Sequence, residues 1–157
     1  MNIEIERKFL VEDWGWWQAG MAWVSLRQGF FERAADYTLR VRIQEQKALL
    51  SLKSNADKLT RLEYEYEIPL QEGEELLAHF CQGKIIEKTR YFIPQDGLLW
   101  EIDVYQGANQ GLITAEIELP DAETVFHQPA WLGRELSYDF RYSNENLARQ
   151  PINTWKE

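Results

Sequence analysis

The sequence predicts an α+β protein in which antiparallel strands predominate. Apolar and polar residues alternate in many short segments, turn residues bound those segments, and helical periodicity is confined to a few short stretches. No repeat, linker or low-complexity segment divides the 157 residues, and a chain of this length can bury a core of its own. We therefore expect a single domain spanning residues 1–157.

Eight segments show the strand pattern. Residues rich in Gly, Asn, Asp and Pro separate several of them, for example at 55–57, 95–97 and 107–111. The predicted strands lie near residues 3–10, 24–31, 37–43, 47–53, 61–69, 85–93, 98–105 and 113–119.

Helical periodicity predicts three short helices. Residues 72–82 place Leu76 and Phe80 at core spacing, residues 122–128 form a second candidate, and residues 143–150 form a third with Ser143 as its N-cap. These helices are expected to pack outside the strands.

The Trp-rich stretch at residues 13–23 matches no clear secondary-structure pattern. We expect its aromatic side chains to cover the outer apolar face of the strands, and the alternative is a self-association surface that would support a homodimer.

Composition excludes several classes of function. The formal net charge of −9 argues against nonspecific binding to nucleic acid or to an anionic membrane, since both require an excess of Lys and Arg. No apolar run is long enough to span a membrane and no signal-peptide pattern opens the chain, so we expect a cytoplasmic protein. Cys81 is the only cysteine and is expected to be buried and inert, while His79 and His127 are isolated, so a zinc site is not predicted.

Charged residues recur on one face of nearly every predicted strand. Because residues i and i+2 of a strand share a face, each strand has an apolar side and a charged side. The charged side carries Glu4, Glu6, Lys8, Arg40, Arg42, Lys53, Glu63, Glu65, Glu67, Lys88, Arg90, Glu101, Asp103, Glu116 and Glu118. A single strand of this kind also fits the solvated face of an ordinary antiparallel sheet.

The charges are also segregated by sign. Strands near residues 41 and 89 carry only basic residues on this face, whereas strands near residues 65, 102 and 117 carry only acidic ones. Carboxylates about 7 Å apart repel by only ~0.6 kcal/mol in water but by ~2.4 kcal/mol at an effective dielectric constant near 20. A closed barrel with this face inward would need cations and opposite charges in its lumen, so an enclosed arrangement indicates function.

A lumen with both signs of charge suits a phosphate chain and a divalent cation. Arginine forms bidentate contacts with phosphate oxygens, and carboxylates bind the hard cations Mg²⁺ and Mn²⁺, which often bridge carboxylate to phosphate. Other catalytic patterns, such as GxxxxGK, GxSxG and GxGxxG, do not occur in the sequence.

These motifs resemble those of the CYTH superfamily, the triphosphate tunnel metalloenzymes. Residues 4–8, Glu-Ile-Glu-Arg-Lys, match its ExExK signature. The other motifs follow in order: "RQGFF" at residues 27–31, RxR at Arg40 and Arg42, a lysine at Lys53, ExExE at Glu63, Glu65 and Glu67, a basic strand with Lys88 and Arg90, and the acidic pairs Glu101 with Asp103 and Glu116 with Glu118.

The resemblance extends to the carboxy-terminal segment "PAWLGRELSYDFRYSNENLA", which is similar to that of the short bacterial members, so that it covers nearly the whole chain. One departure is that serine flanks Lys53, at positions 51 and 54, where threonine is frequent in the family.

The resemblance implies an eight-stranded antiparallel barrel that forms a tunnel and hydrolyses inorganic tripolyphosphate with Mg²⁺ or Mn²⁺. The metal ligands would be Glu4, Glu6 and Glu118, assisted by Asp103 and Glu116; the phosphate-binding residues would be Lys8, Arg40, Arg42, Lys88 and Arg90, with Arg134 as a weaker candidate. Lys53 would be the catalytic residue that orients or activates water, and metal-bound water is the alternative base. Glu63, Glu65, Glu67 and Glu101 would bind a second metal or orient the basic side chains.

Two alternatives to the tripolyphosphatase remain. One is another triphosphate enzyme of the same fold: a class IV adenylate cyclase, a thiamine triphosphatase or a nucleoside triphosphatase. The other is a polyphosphate-binding module without turnover. The sequence contains no insertion long enough to build an obvious pocket for a base or a thiazole, which favours inorganic tripolyphosphate.

Overall fold

The computed structural model describes residues 3–55, 57 and 59–155, which form nine strands and two α-helices. In chain order these are β1 Ile3–Val11, β2 Trp23–Phe30, β3 Tyr37–Gln44, β4 Lys47–Ser54, β5 Thr60–Ile68, α1 Leu70–Phe80, β6 Ile85–Gln95, β7 Leu98–Tyr105, β8 Ile113–Glu118, β9 Leu132–Glu135 and α2 Asn144–Arg149.

Eight of the strands close into an antiparallel barrel, as predicted. The strands follow the order β5-β4-β3-β2-β6-β7-β8-β1, and β1 also pairs with β5, which completes the ring. The first residues of β1 pair with β5 and its last residues pair with β9, so that β9 extends the wall beside β5. Closure leaves these eight strands no free edge through most of their length.

The charged faces of the strands point inward and the apolar faces point outward. Lys88 and Asp103 are fully buried, and Arg40, Arg90 and Glu116 are 7% exposed, whereas Tyr66 on the opposite face of β5 is 61% exposed. The barrel therefore reverses the usual arrangement of a small β protein, in which the apolar faces fill the interior. Apolar residues form two cores where other elements cover the outside of the barrel, and a third where the carboxy-terminal segment packs on one end of it.

Helix α1 covers the outside of β3 and β4. Its Leu77, together with Cys81 after the helix, packs against Val41, Ile43 and Ala48. Gly73 of α1 lies so close to Ala48 that an added Cβ atom would clash with it, which explains a glycine inside the helix. Cys81 is fully buried and burial raises the pKa of its thiol to about 11, so it is the inert cysteine that we predicted.

The carboxy-terminal segment closes one end of the barrel by packing on inward-facing residues of β2, β6 and β7. Leu147 and Ala148 of α2 pack with Phe30, Ile86 and Tyr105. The backbone N–H of Asn146 donates to Ser143 Oγ at 3.1 Å, which confirms the predicted N-cap.

The Trp-rich stretch divides into a buried part and an exposed part. Trp16 is 3% exposed and packs against the outer face of the barrel beside Tyr91, as expected for a covering role. Trp14 stacks on Trp16 with the ring centroids 5.2 Å apart, but it is 55% exposed, and Trp17 and Trp23 are similarly exposed.

The predicted helix over residues 122–128 is wrong. The Asp121 side chain accepts a hydrogen bond from the Glu123 backbone N–H and forms a turn, after which residues 124–129 have no regular structure. The open conformation carries Phe126 onto the barrel, where it packs edge-to-face with Phe9 and Trp100. This packing of one large side chain outweighs the weak helical propensity of a short segment bounded by prolines.

Strand β9 was not predicted from the sequence. It is only four residues long, and an added Cβ atom at Gly133 would meet the Leu10 carbonyl oxygen of β1 at 2.6 Å. The glycine therefore permits a close approach that a four-residue pattern does not indicate. In the part of the chain that the structure describes, no helix is long and apolar enough to cross a membrane.

Candidate active site

The barrel encloses a cavity of about 670 Å³ lined by residues of all eight of its strands. Most of the residues predicted from the sequence line it: Glu4, Glu6, Lys8, Arg40, Arg42, Lys53, Glu63, Glu65, Arg90, Glu101, Glu116 and Glu118. Both signs of charge therefore share one enclosed volume.

Four predicted site residues do not line this cavity. Lys88 and Asp103 are fully buried within the barrel wall. Glu67 is exposed near the carboxy-terminal end of β5. Arg134 lies on β9 with half of its side chain exposed, and its Nη2 donates to the Tyr142 hydroxyl at 3.2 Å.

The wall formed by β6, β7 and β8 holds a buried network of charges, which we call the buried wall. Lys88 Nζ donates to Asp103 Oδ2 at 2.7 Å, and Arg90 donates through Nε and Nη2 to the two oxygens of Asp103 at 2.8 and 3.0 Å. Burial alone would raise the pKa of Asp103, but the charges of Arg90 and Lys88 outweigh burial and hold the pKa well below its usual range. Asp103 is therefore fully engaged by protein cations.

The carboxy-terminal segment closes the end of the barrel next to the buried wall. Asn144 Oδ1 accepts hydrogen bonds from Lys88 Nζ at 3.3 Å and from the Tyr105 hydroxyl at 2.7 Å. Lys8 Nζ donates to the Tyr142 carbonyl oxygen at 2.6 Å and lies 3.9 Å from Glu116 Oε1. These contacts fix the Lys8 ammonium group at the edge of the cavity.

The opposite wall, formed by β3, β4 and β5, holds its charges more loosely, and we call it the open wall. Arg40 Nη2 donates to Ser51 Oγ at 3.1 Å, and that hydroxyl donates to Glu65 at 2.8 Å. The carboxylates of Glu63 and Glu65 lie 3.7 and 3.6 Å from Arg40 Nη2, beyond hydrogen-bond distance. Arg40 is therefore flanked by two carboxylates without forming a close ion pair with either.

Lys53 lies on β4 of the open wall, and its side chain reaches a residue of β1. Its Nζ donates to Glu4 Oε1 at 2.9 Å and lies 3.5 Å from Glu63 Oε2. The ammonium group is thus aimed into the cavity at the point where the basic and acidic linings meet.

Arg42 carries a positive charge that the nearby carboxylates of Glu65 and Asp103 only partly balance. Its Nε donates to the neutral side chain of Gln28 at 3.2 Å. Burial lowers the pKa of Arg42, and the charges of Arg40 and Arg90 lower it further. An anion in the cavity would relieve this repulsion, so that the environment of Arg42 favours an anionic ligand.

The acidic lining shows the opposite imbalance. Burial raises the pKa of Glu6 well above its usual value, and the neighbouring charges of Glu116 and Glu4 raise it further. Burial also raises the pKa of Glu118, with further increases from Glu4 and Glu101. A cation near these carboxylates would remove their mutual repulsion.

These carboxylates fit a divalent cation that is shared with substrate. Among the described residues, no three His, Cys, Asp or Glu side chains are close enough together to form a complete metal site. Mg²⁺, however, commonly uses one or two carboxylates together with waters and phosphate oxygens instead of a cage made only by protein. Oxygen donors of this kind are available from Glu4, Glu6, Glu116 and Glu118.

Sequence reasoning missed two arginines that line the cavity, Arg33 and Arg61. Arg61 lies two residues before Glu63 on the same face of β5, so the alternation of that strand could have identified it. Arg33 lies in the connection between β2 and β3, where no periodic pattern exists to indicate its direction.

Comparison with known proteins gives a consistent result. The CYTH domain model matches residues 2–152. An inorganic triphosphatase of Acetivibrio thermocellus is 43% identical over 163 residues and covers 100% of both chains. An inorganic triphosphatase of Nitrosomonas europaea is 39% identical over 150 residues, which cover 92% of this chain and 96% of the relative. A crystal structure of an inorganic triphosphatase matches with a TM-score of 0.69 at 35% identity, covering 93% of this chain and 94% of that one.

Proposed function

Since the chain belongs to the CYTH domain family, we propose that it is an inorganic triphosphatase that hydrolyses tripolyphosphate to pyrophosphate and phosphate. The observation that carries this proposal is the enclosed cavity in which Arg42, whose charge is only partly balanced, shares the lining with the mutually repelling carboxylates of Glu4, Glu6 and Glu118. A chain of phosphates with a bound divalent cation would balance both sets of charges at once.

The basic side chains would hold the phosphates. Arg40 and Arg42 are adjacent on the inner face of β3, and Lys8 and Arg90 reach the same cavity from other strands. Because phosphoryl transfer needs little covalent assistance, positioning and charge neutralisation supply most of its catalysis. Lys88 would act within the wall by holding Asp103, and Asp103 would in turn orient Arg90.

The acidic side chains would hold Mg²⁺ or Mn²⁺. Glu4, Glu6, Glu116 and Glu118 are the proposed ligands, since Asp103 is already bound by two protein cations. The ion would supply positive charge to phosphate oxygens as bond cleavage proceeds. Glu63 is proposed to orient Arg40 and Lys53, both of which it contacts, and Glu65 is proposed to orient Arg40.

Lys53 is the proposed catalytic residue. Its ammonium group contacts two carboxylates, Glu4 and Glu63, and the first of these is a proposed metal ligand. A cation in this position can bind the phosphoryl group that is being transferred and hold the attacking water in line with it.

The cavity favours an inorganic chain over an organic triphosphate. Its described lining contains two aromatic residues, Phe30, which belongs to the buried core, and Phe140, whose ring lies under the guanidinium group of Arg33 at 5.2 Å. A base would therefore have to displace Arg33 from that face of the ring before it could stack there.

The test is phosphate release from tripolyphosphate, ATP, thiamine triphosphate and pyrophosphate in parallel, with Mg²⁺, with Mn²⁺ and with chelator. The ATP reactions would also be assayed for cyclic AMP. We expect fast, metal-dependent release from tripolyphosphate. Products formed mainly from ATP or thiamine triphosphate would indicate one of the other triphosphate activities of this fold. The absence of turnover with every substrate would refute the proposed reaction.

A further inference from the structure

Asn144 is a neutral residue at the boundary between the buried wall and the cavity. It is the first residue of α2, and it lines the cavity. The two side chains that it contacts in the wall, Lys88 and Tyr105, are buried and do not line the cavity. One side of the Asn144 amide therefore faces the wall, and the other side faces the space in which a substrate would lie.

The chemistry of these partners fixes the orientation of the amide. Asn144 Oδ1 accepts hydrogen bonds from Lys88 Nζ at 3.3 Å and from the Tyr105 hydroxyl at 2.7 Å. A lysine ammonium group can only donate, so the atom that faces it must be the oxygen, and a flipped amide would set two donors against each other. Lys88 is itself fixed by its hydrogen bond to Asp103 at 2.7 Å.

This orientation leaves the amide nitrogen as an available donor. Among residues 3–55, 57 and 59–155, Asn144 Nδ2 has no hydrogen-bond partner, and the atom is accessible. The hydroxyl of Ser137, another lining residue, differs because it already donates to Glu135 at 2.6 Å. The Lys8 ammonium group is held by the carbonyl oxygen of Tyr142, two residues before Asn144. Two N–H donors thus remain at an end of the cavity that also holds a cation.

We propose that Asn144 is a substrate-binding residue whose Nδ2 donates a hydrogen bond to a phosphate oxygen at the end of the cavity that holds Lys8. This inference rests on the proposed function and adds a substrate contact to it. An amide nitrogen can only donate, so its ligand is an acceptor and not a metal ion. The charges of Arg40 and Arg90 already lower the pKa of Arg42, and a neutral donor binds an anion without adding to this repulsion.

The first test is Asn144→Asp, which removes the donor and keeps the acceptor. The new carboxylate can still accept from Lys88 and Tyr105, but it has no N–H group and presents a negative charge to the phosphates. We expect KM for tripolyphosphate at saturating Mg²⁺ to rise at least about tenfold, which corresponds to the loss of one charge-assisted hydrogen bond, and kcat to change less. Asn153→Asp makes the same change at an exposed position of the carboxy-terminal segment outside the cavity and should leave KM as it is. An unchanged KM in Asn144→Asp would overturn the proposal.

Two further variants separate substrate contact from support of the wall. Asn144→Ala loses both the oxygen that faces the wall and the donor, whereas Tyr105→Phe loses one hydrogen bond to that oxygen and keeps the donor. Both variants should melt at a lower temperature than the unmodified protein. We expect KM to rise about tenfold in Asn144→Ala and much less in Tyr105→Phe. Equal KM values in the two variants would show that Asn144 only supports the wall.

A binding measurement does not depend on turnover. In chelator, tripolyphosphate should raise the melting temperature of the unmodified protein and of Asn153→Asp more than that of Asn144→Asp, because a ligand that binds the folded state more tightly stabilises it more. If this difference is found but no triphosphate is hydrolysed, the proposed reaction fails and the Asn144 contact stands. If tripolyphosphate is hydrolysed with the same KM by the unmodified protein and by Asn144→Asp, the contact fails alone.

Discussion

The buried wall and the open wall present the same alternation of charged residues in sequence but hold their charges in different ways. On the buried wall, Asp103 is fully buried and receives hydrogen bonds from two cations at 2.7 to 3.0 Å. On the open wall, Arg40 lies 3.6 to 3.7 Å from its carboxylates and Glu65 is exposed. One wall satisfies its charges internally, whereas the other keeps them available.

This difference separates stability from activity. A buried ion pair that loses one partner leaves an uncompensated charge in a low-dielectric interior, which is strongly destabilising. A loosely held pair at a solvated surface contributes little to stability and can exchange its partner for a ligand. Substitution of Asp103, which does not line the cavity, should therefore change mainly the free energy of unfolding, whereas substitution of the cavity-lining cations of the open wall should change mainly the reaction.

The largest expected effect is on the buried wall. Asp103→Asn would leave Lys88 and Arg90 buried without their shared carboxylate, and the free energy of unfolding should fall by about 3–5 kcal/mol. Glu65→Gln, the matched substitution on the open wall, should cost only about 0–1 kcal/mol. Urea unfolding of the two variants measures both. If Asp103→Asn lowered the free energy of unfolding by less than Glu65→Gln does, the ion pairs of Asp103 would not stabilise the fold more than those of the open wall.

The next effect is on the reaction, at Lys53 of the open wall. Lys53→Ala should lower kcat for tripolyphosphate by about 10²–10³-fold, because it removes the cation that we propose to contact the transferred group. The melting-temperature increase caused by tripolyphosphate should persist, since the other cations still bind the phosphates. Lys84→Ala is the control, because Lys84 pairs with the exposed Glu32 outside the cavity. Full retention of rate in Lys53→Ala would remove this residue from the mechanism.

A third prediction concerns the acidic lining contributed by β1. The double variant Glu4→Gln, Glu6→Gln should need at least about tenfold more Mg²⁺ for half-maximal activity, since two anionic oxygen ligands become neutral. The measurement is a metal titration at saturating tripolyphosphate. Glu123→Gln removes a carboxylate outside the cavity and should leave the titration as it is. An unchanged titration in the double variant would place the ion elsewhere.

The smallest effect lies outside both walls, where β9 joins β1. Arg7 Nε and Nη2 donate to the two oxygens of Glu135 at 2.8 and 2.7 Å, and this contact lowers the pKa of Glu135. A carboxylate whose pKa is lower in the folded state stabilises the fold at pH values above its unfolded pKa, and this contribution is lost as pH falls through the folded pKa.

Glu135→Gln should therefore cost about 1 kcal/mol at pH 7 and little near pH 2. Urea unfolding at a series of pH values provides the measurement. A cost that is the same at both pH values would mean that Glu135 contributes through packing and not through its charge.

Much of this architecture could be predicted because strand alternation is a local property. The charged face of each strand follows from the period of two. The pattern places Glu4, Arg42 and Lys53 on the charged faces of their strands, and all three line the cavity. Family resemblance supplied closure of the barrel, which alternation alone does not distinguish from an open sheet with one solvated face.

What alternation does not predict is how deeply a residue lies within the wall. Asp103 and Glu101 share a face of one strand. Asp103 is nevertheless fully buried and hydrogen-bonded to two cations, whereas Glu101 lines the cavity. Likewise, Arg33 lines the cavity although it lies in an irregular connection. Residues 124–129 form no helix, and Phe126 packs on Trp100 instead.

The sequence by itself thus determined the strands, the sign of charge on each inner face and the chemistry that those charges suit. The tertiary structure alone decided which charges satisfy one another and which remain for a ligand. The physical reason is that a charge's environment depends on its distances to groups on other strands, and barrel closure brings together residues such as Lys53 and Glu4 that lie far apart in the chain.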